Sequence, residues 1–224
     1  MKQTKKQQSW ANLDRVKVYS IADAIEALRP YVSKKFDESL EIAIRLGIDI
    51  TKADQNIRGM LSLPNGTGKS VRVAVFTINA QDEAKKAGAD VVGGEELIDA
   101  VANGQINFDR VIATPDMMPK MSKVARVLGP KGLMPNPKLG TVTNNVAEAV
   151  KTAKAGQIEY RAEKNGIIHA GIGKMSFTTD KLVENANALI DQLKKVKPSS
   201  SKGQYILAAS VATTQGPGLK IDVK

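Results

Sequence analysis

The sequence predicts two domains of different class: a discontinuous α+β domain with an antiparallel sheet, built from both ends of the chain, interrupted by an inserted α/β domain. Three observations lead there. From Val71 to Gly129, short apolar runs alternate with helical segments, the pattern of a parallel sheet flanked by helices. On either side the runs are longer, alternate polar with apolar, and include an Asn-Gly turn, which is antiparallel grammar. The 224 residues, 42% of them hydrophobic, suffice for two modest packed cores. The expected limits are 1–66 with 160–224 for the discontinuous domain and 67–159 for the insert. Both crossings carry glycine, near Gly66 to Lys69 and near Gly156 to Glu159, which suits a hinge.

The opening MKQTKKQQSW is polar and expected to fray, and with no apolar run after it no secretory signal is expected. SIADAIEALRPYV predicts an amphipathic helix, with Ser20 as its cap, Ile21, Ala24, Ile25 and Leu28 at helical spacing, and Pro30 as its stop. In FDESLEIAIRLGIDI the residues Phe36, Leu40, Ile42, Ile44, Leu46 and Ile48 share one parity, so a long half-buried strand is expected from Phe36 onward. IRGMLSLP is a second strand.

In the middle, VRVAVFT, ADVVG and FDRVIATP read as strands, and AQDEAKKAG, EELIDAVANG and MMPKMSKVARVLG as the helices that follow them. TVTNNVAEAVKTAKAG adds a short strand and a helix. Beyond Gln157, QIEYRAEKNGIIHAGIGK reads as a hairpin turning at Lys164, Asn165 and Gly166. FTTDKLVENANALIDQLKKVKP is a long helix capped by Thr179 or Asp180 and stopped by Pro198. SSSKG is a linker, and the final GQYILAASVATTQGPGLKIDVK gives a long strand, a glycine turn and a short strand.

A formal net charge of +10 and a pI near 9.7 call for an anionic partner, most commonly nucleic acid. The two ends together hold 21 basic and 13 acidic side chains, the middle only 12 and 10. Within the middle, residues 120–147 hold Lys120, Lys123, Arg126, Lys131 and Lys138 and not one acid. With no cysteine and the single His169, disulfides and thiolate metal sites are excluded and a histidine-built triad or metal site is not expected; no cofactor is called for. No apolar segment approaches the roughly 20 residues of a membrane span, so a cytoplasmic protein without a membrane partner is expected.

Two glycine motifs suggest phosphate binding and fail on context. NGTGKS at 65–70 has Leu63 where a P-loop needs its first glycine, and it precedes a strand instead of opening a helix. GIGKMS at 171–176 has Ser176 in place of the third glycine of a dinucleotide fingerprint and ends a hairpin strand. His169 in IIHAGI reads as a packed or surface imidazole, Glu95 and Glu96 as a solvated helix start, and Met117, Met118, Met121 and Met134 as filler of an irregular core or loop. By contrast, SKKFDES at the mouth of the long strand, TTQGPG after the last long strand and the basic turn YRAEKNG would share a surface if the terminal strands pair in one sheet. They would then present lysines and small donors suited to phosphate and sugar. Nine aromatics are too few for a base-stacking platform, so a folded RNA read by shape and backbone is the expected ligand.

With that layout in place, the chain resembles the large-subunit ribosomal protein L-one family, of the bacterial type, over almost its whole length. The resemblance rests on VARVLGPKGLMPNPKLGTV at 124–142, supported by KFDESLEIAIRLGID, IRGMLSLPNGTGK, GQIEYRAEKNGIIHAGIGK and VATTQGPG. It implies a two-domain fold with an inserted Rossmann-like α/β domain, and an RNA site in the discontinuous domain. The matching residues are Glu26, Lys35, Phe36, Ser39, Arg161, Lys164, Thr214, Gln215 and Gly216. By that resemblance the lysines and Arg161 contact phosphates, Ser39 and Thr214 sugar hydroxyls, and Phe36 packs beneath the surface and holds it flat. Gly216 permits close backbone approach, with a left-handed φ as a second reason for glycine there. The family usually has Met where this chain has Gln215. LGPKGLMPNPKLG at 128–140 resembles the family's signature loop, a rigid basic protrusion whose Lys131 and Lys138 offer a secondary RNA contact.

The resemblance further implies residence in the large ribosomal subunit among other ribosomal components, and binding of large-subunit rRNA in the mobile stalk. It also implies transient contact with exit-site tRNA during release of deacylated tRNA, and repression of the chain's own operon through its mRNA. No enzymatic activity is expected. The rival reading is a phosphate- or nucleotide-binding α/β enzyme, drawn from the middle domain's pattern, but fold pattern alone does not set function.

Overall fold

A computed structural model describes residues 8–11 and 13–223, and the polar arm expected at the start falls, for residues 1–7, outside the described residues. The elements run in chain order β1 (Val18–Tyr19), α1 (Ile21–Leu28), β2 (Ser39–Leu46), β3 (Arg58–Ser62), β4 (Val73–Phe76) and α2 (Gln81–Lys86). There follow β5 (Val91–Gly93), α3 (Glu95–Ala102), β6 (Arg110–Ala113), α4 (Met118–Met121), α5 (Ala125–Leu128) and α6 (Val146–Lys154). The chain closes with β7 (Gln157–Arg161), β8 (Ile167–Lys174), α7 (Thr179–Lys195), β9 (Ile206–Thr213) and β10 (Gly218–Ile221). Two compact units result: a terminal unit that runs up to Gly68 and resumes at Ile158, and an inserted unit, Lys69–Gln157.

In the terminal unit a five-stranded sheet has the order β1-β10-β9-β2-β8, while β3 pairs with β7 in a separate two-stranded sheet. The five-stranded sheet is antiparallel except at its edge, where β1 lies parallel to β10. Alternation in β2 does the work expected of it: Leu40, Ile42, Ile44 and Leu46 are buried while Glu41 and Arg45 are exposed. Those buried residues share one core with Ala24, Ile25 and Leu28 of α1 and Leu182, Ala186, Leu189, Ile190 and Leu193 of α7. Each leucine or isoleucine among them contributes about 1.5–3 kcal/mol on leaving water. Ser20 caps α1, its hydroxyl accepting from the Asp23 amide at 3.1 Å.

The inserted unit holds a three-stranded parallel sheet of order β5-β4-β6. Its central strand is buried on both sides. Ala74 and Phe76 pack with Ile98 and Val101 of α3 and with Met117, Met121, Val124 and Leu128, while Val73 and Val75 pack with Ala84 of α2 and Val146, Val150 and Ala153 of α6. This is the covered arrangement that a parallel sheet requires.

Local expectations fail at five places, each for an identifiable reason. The long strand starts at Ser39, not Phe36: the preceding Asp37 and Glu38 are turned aside, their carboxylates accepting from the amides of Ser176, of Gln215 and of Ser33 in their own loop. The hairpin at 164–166 closes as a turn, with the Gly166 amide on the Glu163 carbonyl at 2.8 Å, but past one bridge, Ala162 to Ile168, its strands part: β7 joins β3 and β8 joins β2. The helix read at 117–129 is broken into α4 and α5 with one 3₁₀ turn, 122–124, between, where the Ser122 hydroxyl donates to the Pro119 carbonyl at 2.7 Å and competes with the backbone amides for it. The strand read in TVT is a single bridge from Val142 to Ala113. The cap of α7 is Thr178, without a side-chain bond, in place of Thr179 or Asp180. Among the described residues no helix is long and apolar enough to cross a membrane.

Candidate nucleic-acid interface

Strand register brings three distant segments together at the Ser39 end of β2. Ser39 lies opposite Lys174 on β8, and Leu40 opposite Thr213 on β9. The loop before β2, the end of β8 and the turn after β9 are therefore neighbours. Hydrogen bonds lock them. The Thr214 hydroxyl accepts from the Ser39 amide at 2.9 Å and donates to the Ser39 carbonyl at 3.3 Å, which also takes the Thr214 amide at 3.1 Å. Lys174 Nζ donates to Ser39 Oγ at 3.0 Å and to the Asp37 carbonyl at 3.1 Å. The Asp37 carboxylate accepts from the Ser176 amide at 3.2 Å and from its hydroxyl at 2.7 Å.

Beneath these lies Glu38, with no solvent exposure. Its carboxylate accepts from the Ser33 amide at 2.8 Å and the Gln215 amide at 3.3 Å, and its carbonyl from the Met175 amide at 2.9 Å. A carboxylate withdrawn from water needs such donors to be tolerable. The turn itself explains its glycine: a methyl at Gly216 would collide with Thr213 Oγ1, a buried hydroxyl without a hydrogen-bond partner. Gly216 does not take a positive φ, so close packing, not a left-handed backbone, is what excludes larger residues there.

Of the residues expected to bind RNA, Lys35, Phe36, Ser39, Thr214, Gln215 and Gly216 come together here. Phe36 is 43% exposed, so it does not pack beneath the surface; it stands in the 33–38 loop beside exposed Lys34 and Lys35. The Ser39 and Thr214 hydroxyls are both engaged within the protein. Each keeps only spare hydrogen-bonding capacity for a sugar; the larger role of the Thr214 hydroxyl is to hold the turn to the strand end, and that of the Ser39 hydroxyl is to seat Lys174 of β8.

Arg161 and Lys164 are not in this cluster. Lys164 sits on the 163–166 turn at the opposite end of β2, where the Leu46 amide donates to the Gly166 carbonyl at 2.8 Å. An eight-residue strand separates the two ends by about 23 Å. Arg161 ends β7, exposed, in the other sheet. Glu26 lies on the exposed side of α1. His169 faces solvent from mid-β8, with Nε2 3.9 Å from a Glu163 carboxylate oxygen. Sequence reasoning missed Asp37, Glu38 and Lys174. Their signal was present, an acidic pair inside the basic run SKKFDES at a strand mouth, but only register shows what the pair reaches.

In the inserted unit Lys131 and Lys138 are exposed on the 128–140 loop. That loop is pinned: Asn136 Oδ1 accepts from the Lys138 amide at 2.9 Å, Thr141 Oγ1 accepts from the Asn136 amide at 2.8 Å, and Leu139 is buried. At the carboxyl ends of the parallel strands, where α/β enzymes hold phosphates, the start of α3 carries Glu95 and Glu96. Glu95 pairs with Lys120, which holds its carboxyl below the ordinary range. Acidic side chains there repel a phosphate. NGTGKS leads into β4, and its Asn65 amide and Gly66 carbonyl are bound by the buried side chain of Asn185 at 3.1 and 3.0 Å. Among the described residues no group of three or more His, Cys, Asp or Glu side chains is placed to hold a metal.

The sequence model described as the Ribosomal protein L1p/L10e family matches residues 28–217, a span that contains the whole cluster at the Ser39 end of β2.

Proposed function

The chain belongs to the ribosomal protein L1p/L10e family, a family of rRNA-binding ribosomal proteins, and from that premise we propose that its terminal unit holds the primary site for a folded segment of large-subunit rRNA. The observation that carries this is the convergence of the 33–38 loop and the 213–217 turn on one strand end, with exposed Lys34, Lys35 and Phe36 beside a turn of small residues. Lysines supply phosphate contacts, and the turn lets the RNA backbone come close. Lys131 and Lys138 on the inserted unit add a secondary, largely electrostatic contact.

On the same reading the protein forms part of the mobile stalk that accompanies release of deacylated tRNA from the exit site, and represses its own operon when an mRNA presents a copy of the rRNA fold. One site serving two RNAs makes them competitors. The test is a titration of the intact protein with the rRNA fragment, against an unrelated hairpin and duplex DNA, with the operon leader as competitor. Selective binding that falls steeply with salt, displaced one for one by the leader, supports the proposal. Equal binding to the unrelated hairpin overturns the rRNA assignment, and leader mRNA that binds without displacing the fragment overturns the shared site. The acids at the start of α3 leave the nucleotide-enzyme reading without support.

A further inference from the structure

We propose that Glu38 is the positioning residue of the RNA site: its buried carboxylate clamps the lysine-bearing 33–36 loop to the 214–216 turn, and RNA affinity depends on that clamp although Glu38 itself never reaches the RNA. The inference rests on the terminal-unit site proposed above and goes beyond it, because a buried acid is the last residue that charge complementarity would assign to binding an anion.

The geometry is specific. Oε1 accepts the Ser33 amide at 2.8 Å and Oε2 the Gln215 amide at 3.3 Å, so one rigid planar group spans two segments more than 170 residues apart in sequence. The main chain of the same residue takes the Met175 amide at 2.9 Å, which ties in the end of β8. The next residue, Ser39, carries the Thr214 hydroxyl bonds. Without the carboxylate, Asp37 still ties the far end of the loop to Ser176 and Lys174, but the Lys35 amide on Ser33 Oγ at 3.3 Å is a bond internal to the loop and fixes nothing about the distance of residues 33–36 from the turn. Lys34, Lys35 and Phe36 would then be free to sample positions that do not fit an RNA shaped to the turn, and binding would have to order them.

Glu38→Gln separates this from every electrostatic account. Glutamine has nearly the same size but only one acceptor oxygen, and its NH₂ would face one of the two amides donor to donor. Removing a negative charge close to bound RNA should by Coulomb's law tighten binding. Losing the clamp should weaken it. The two effects have opposite signs.

The experiment titrates full-length wild type, Glu38→Gln and Thr214→Val with the rRNA fragment at several salt concentrations, with thermal unfolding in parallel. Glu38→Gln should bind about tenfold more weakly, with an unchanged slope of log affinity against log salt because the lysine-phosphate contacts are the same in number. Equal or tighter binding by Glu38→Gln while Thr214→Val binds weakly overturns the clamp and leaves the site standing. If neither variant weakens binding, the site reading itself fails. Hydrogen exchange on the wild-type protein decides the matter should Glu38→Gln not fold. The Ser33 and Gln215 amides should be strongly protected relative to those of Lys34 and Phe36, and protection no greater than theirs rules the clamp out.

Discussion

The two units cover a sheet in different ways. In the inserted unit, β4 is buried on both sides, between α3 with the 115–128 segment and α2 with α6. In the terminal unit α1 and α7 share a core with one side of the five-stranded sheet, and the other side shows exposed Glu41, Arg45, His169, Ala208 and Lys220. A sheet covered on both faces leaves only its loops to meet a ligand. A sheet covered on one face offers strand ends and turns whose spacing is set by the ladder itself, and rigid elements place binding groups more accurately than loops do. The terminal unit is therefore the place to look for shape recognition, and the inserted unit for mainly electrostatic contact.

The largest test of that contrast separates the units. Their cores share no residue, so each has the means to fold alone. A chain joining residues 1–68 to 158–224 through a short linker is expected to keep the rRNA-fragment affinity to within about tenfold of the whole protein, whereas isolated 69–157 should show only the weak binding typical of non-specific contacts, with Kd about 10⁻⁴–10⁻⁶ M. Tighter binding by the isolated insert would reverse the comparison.

Much of this contrast was legible from the chain. Period-two alternation in SLEIAIRL named the buried side of β2 correctly, and strand-helix alternation after Val71 gave the parallel sheet, because both signals are set by burial within one element. Apart from a broken helix and a cap displaced by one residue, what failed was nonlocal. Nothing in QIEYRAEKNGIIHAGIGK says that its two strands part after one bridge, since β7 pairs with β3, where Arg58 meets Glu159 and Gly59 leaves room for Tyr160, a hundred residues away. Likewise Arg161 and Lys164 were grouped with Thr214 on the assumption that three basic or small-residue turns on one sheet share an end; the antiparallel register puts Lys164 at the other end. The role of Glu38 was illegible for the same reason, as its partners are made neighbours only by the fold.

A second, smaller effect compares single residues. Gly216→Val pushes a branched side chain into Thr213 and displaces the turn, and is expected to weaken the fragment more than any other single change here, by about a hundredfold. Thr214→Val removes two hydrogen bonds to Ser39, so it should cost stability of about 1–2 kcal/mol as well as about tenfold in affinity. Lys138→Ala on the inserted unit should change affinity only about threefold. It should lower the salt slope by about 1, the mark of one lost phosphate contact. Isothermal titration at matched salt reads all three. If Lys138→Ala were the most damaging, recognition would lie in the basic loop.

The smallest effect concerns acid, and it probes how the covered sheet is held at its margin. Asp90 is held below the ordinary carboxylate range chiefly by the Val73 amide at 2.8 Å, with Lys154 at 3.1 Å; Asp109 is lowered chiefly by the Arg72 amide at 3.2 Å, with Lys69 at 3.4 Å. Both carboxylates thus pin the start of β4. In the terminal unit the lowered carboxylates, Asp14 and Asp49, bond to residues two or three positions along the chain and tie turns, not strands. A depressed folded-state pKa means that the unfolded chain binds more protons in the interval between the two values. The stabilisation is therefore complete above the unfolded value near 3.9 and is lost as pH falls through the folded one. Because both side chains are about one-third exposed, the pair should contribute no more than about 1 kcal/mol. Protection factors of the Arg72 and Val73 amides are expected to hold from neutrality down to about pH 4 and to drop below it. In the Asp90→Asn, Asp109→Asn double variant they should start lower and lose most of that acid dependence. An undiminished drop in the double variant would mean that other titrating groups, and not Asp90 and Asp109, carry the acid sensitivity of the inserted sheet's margin.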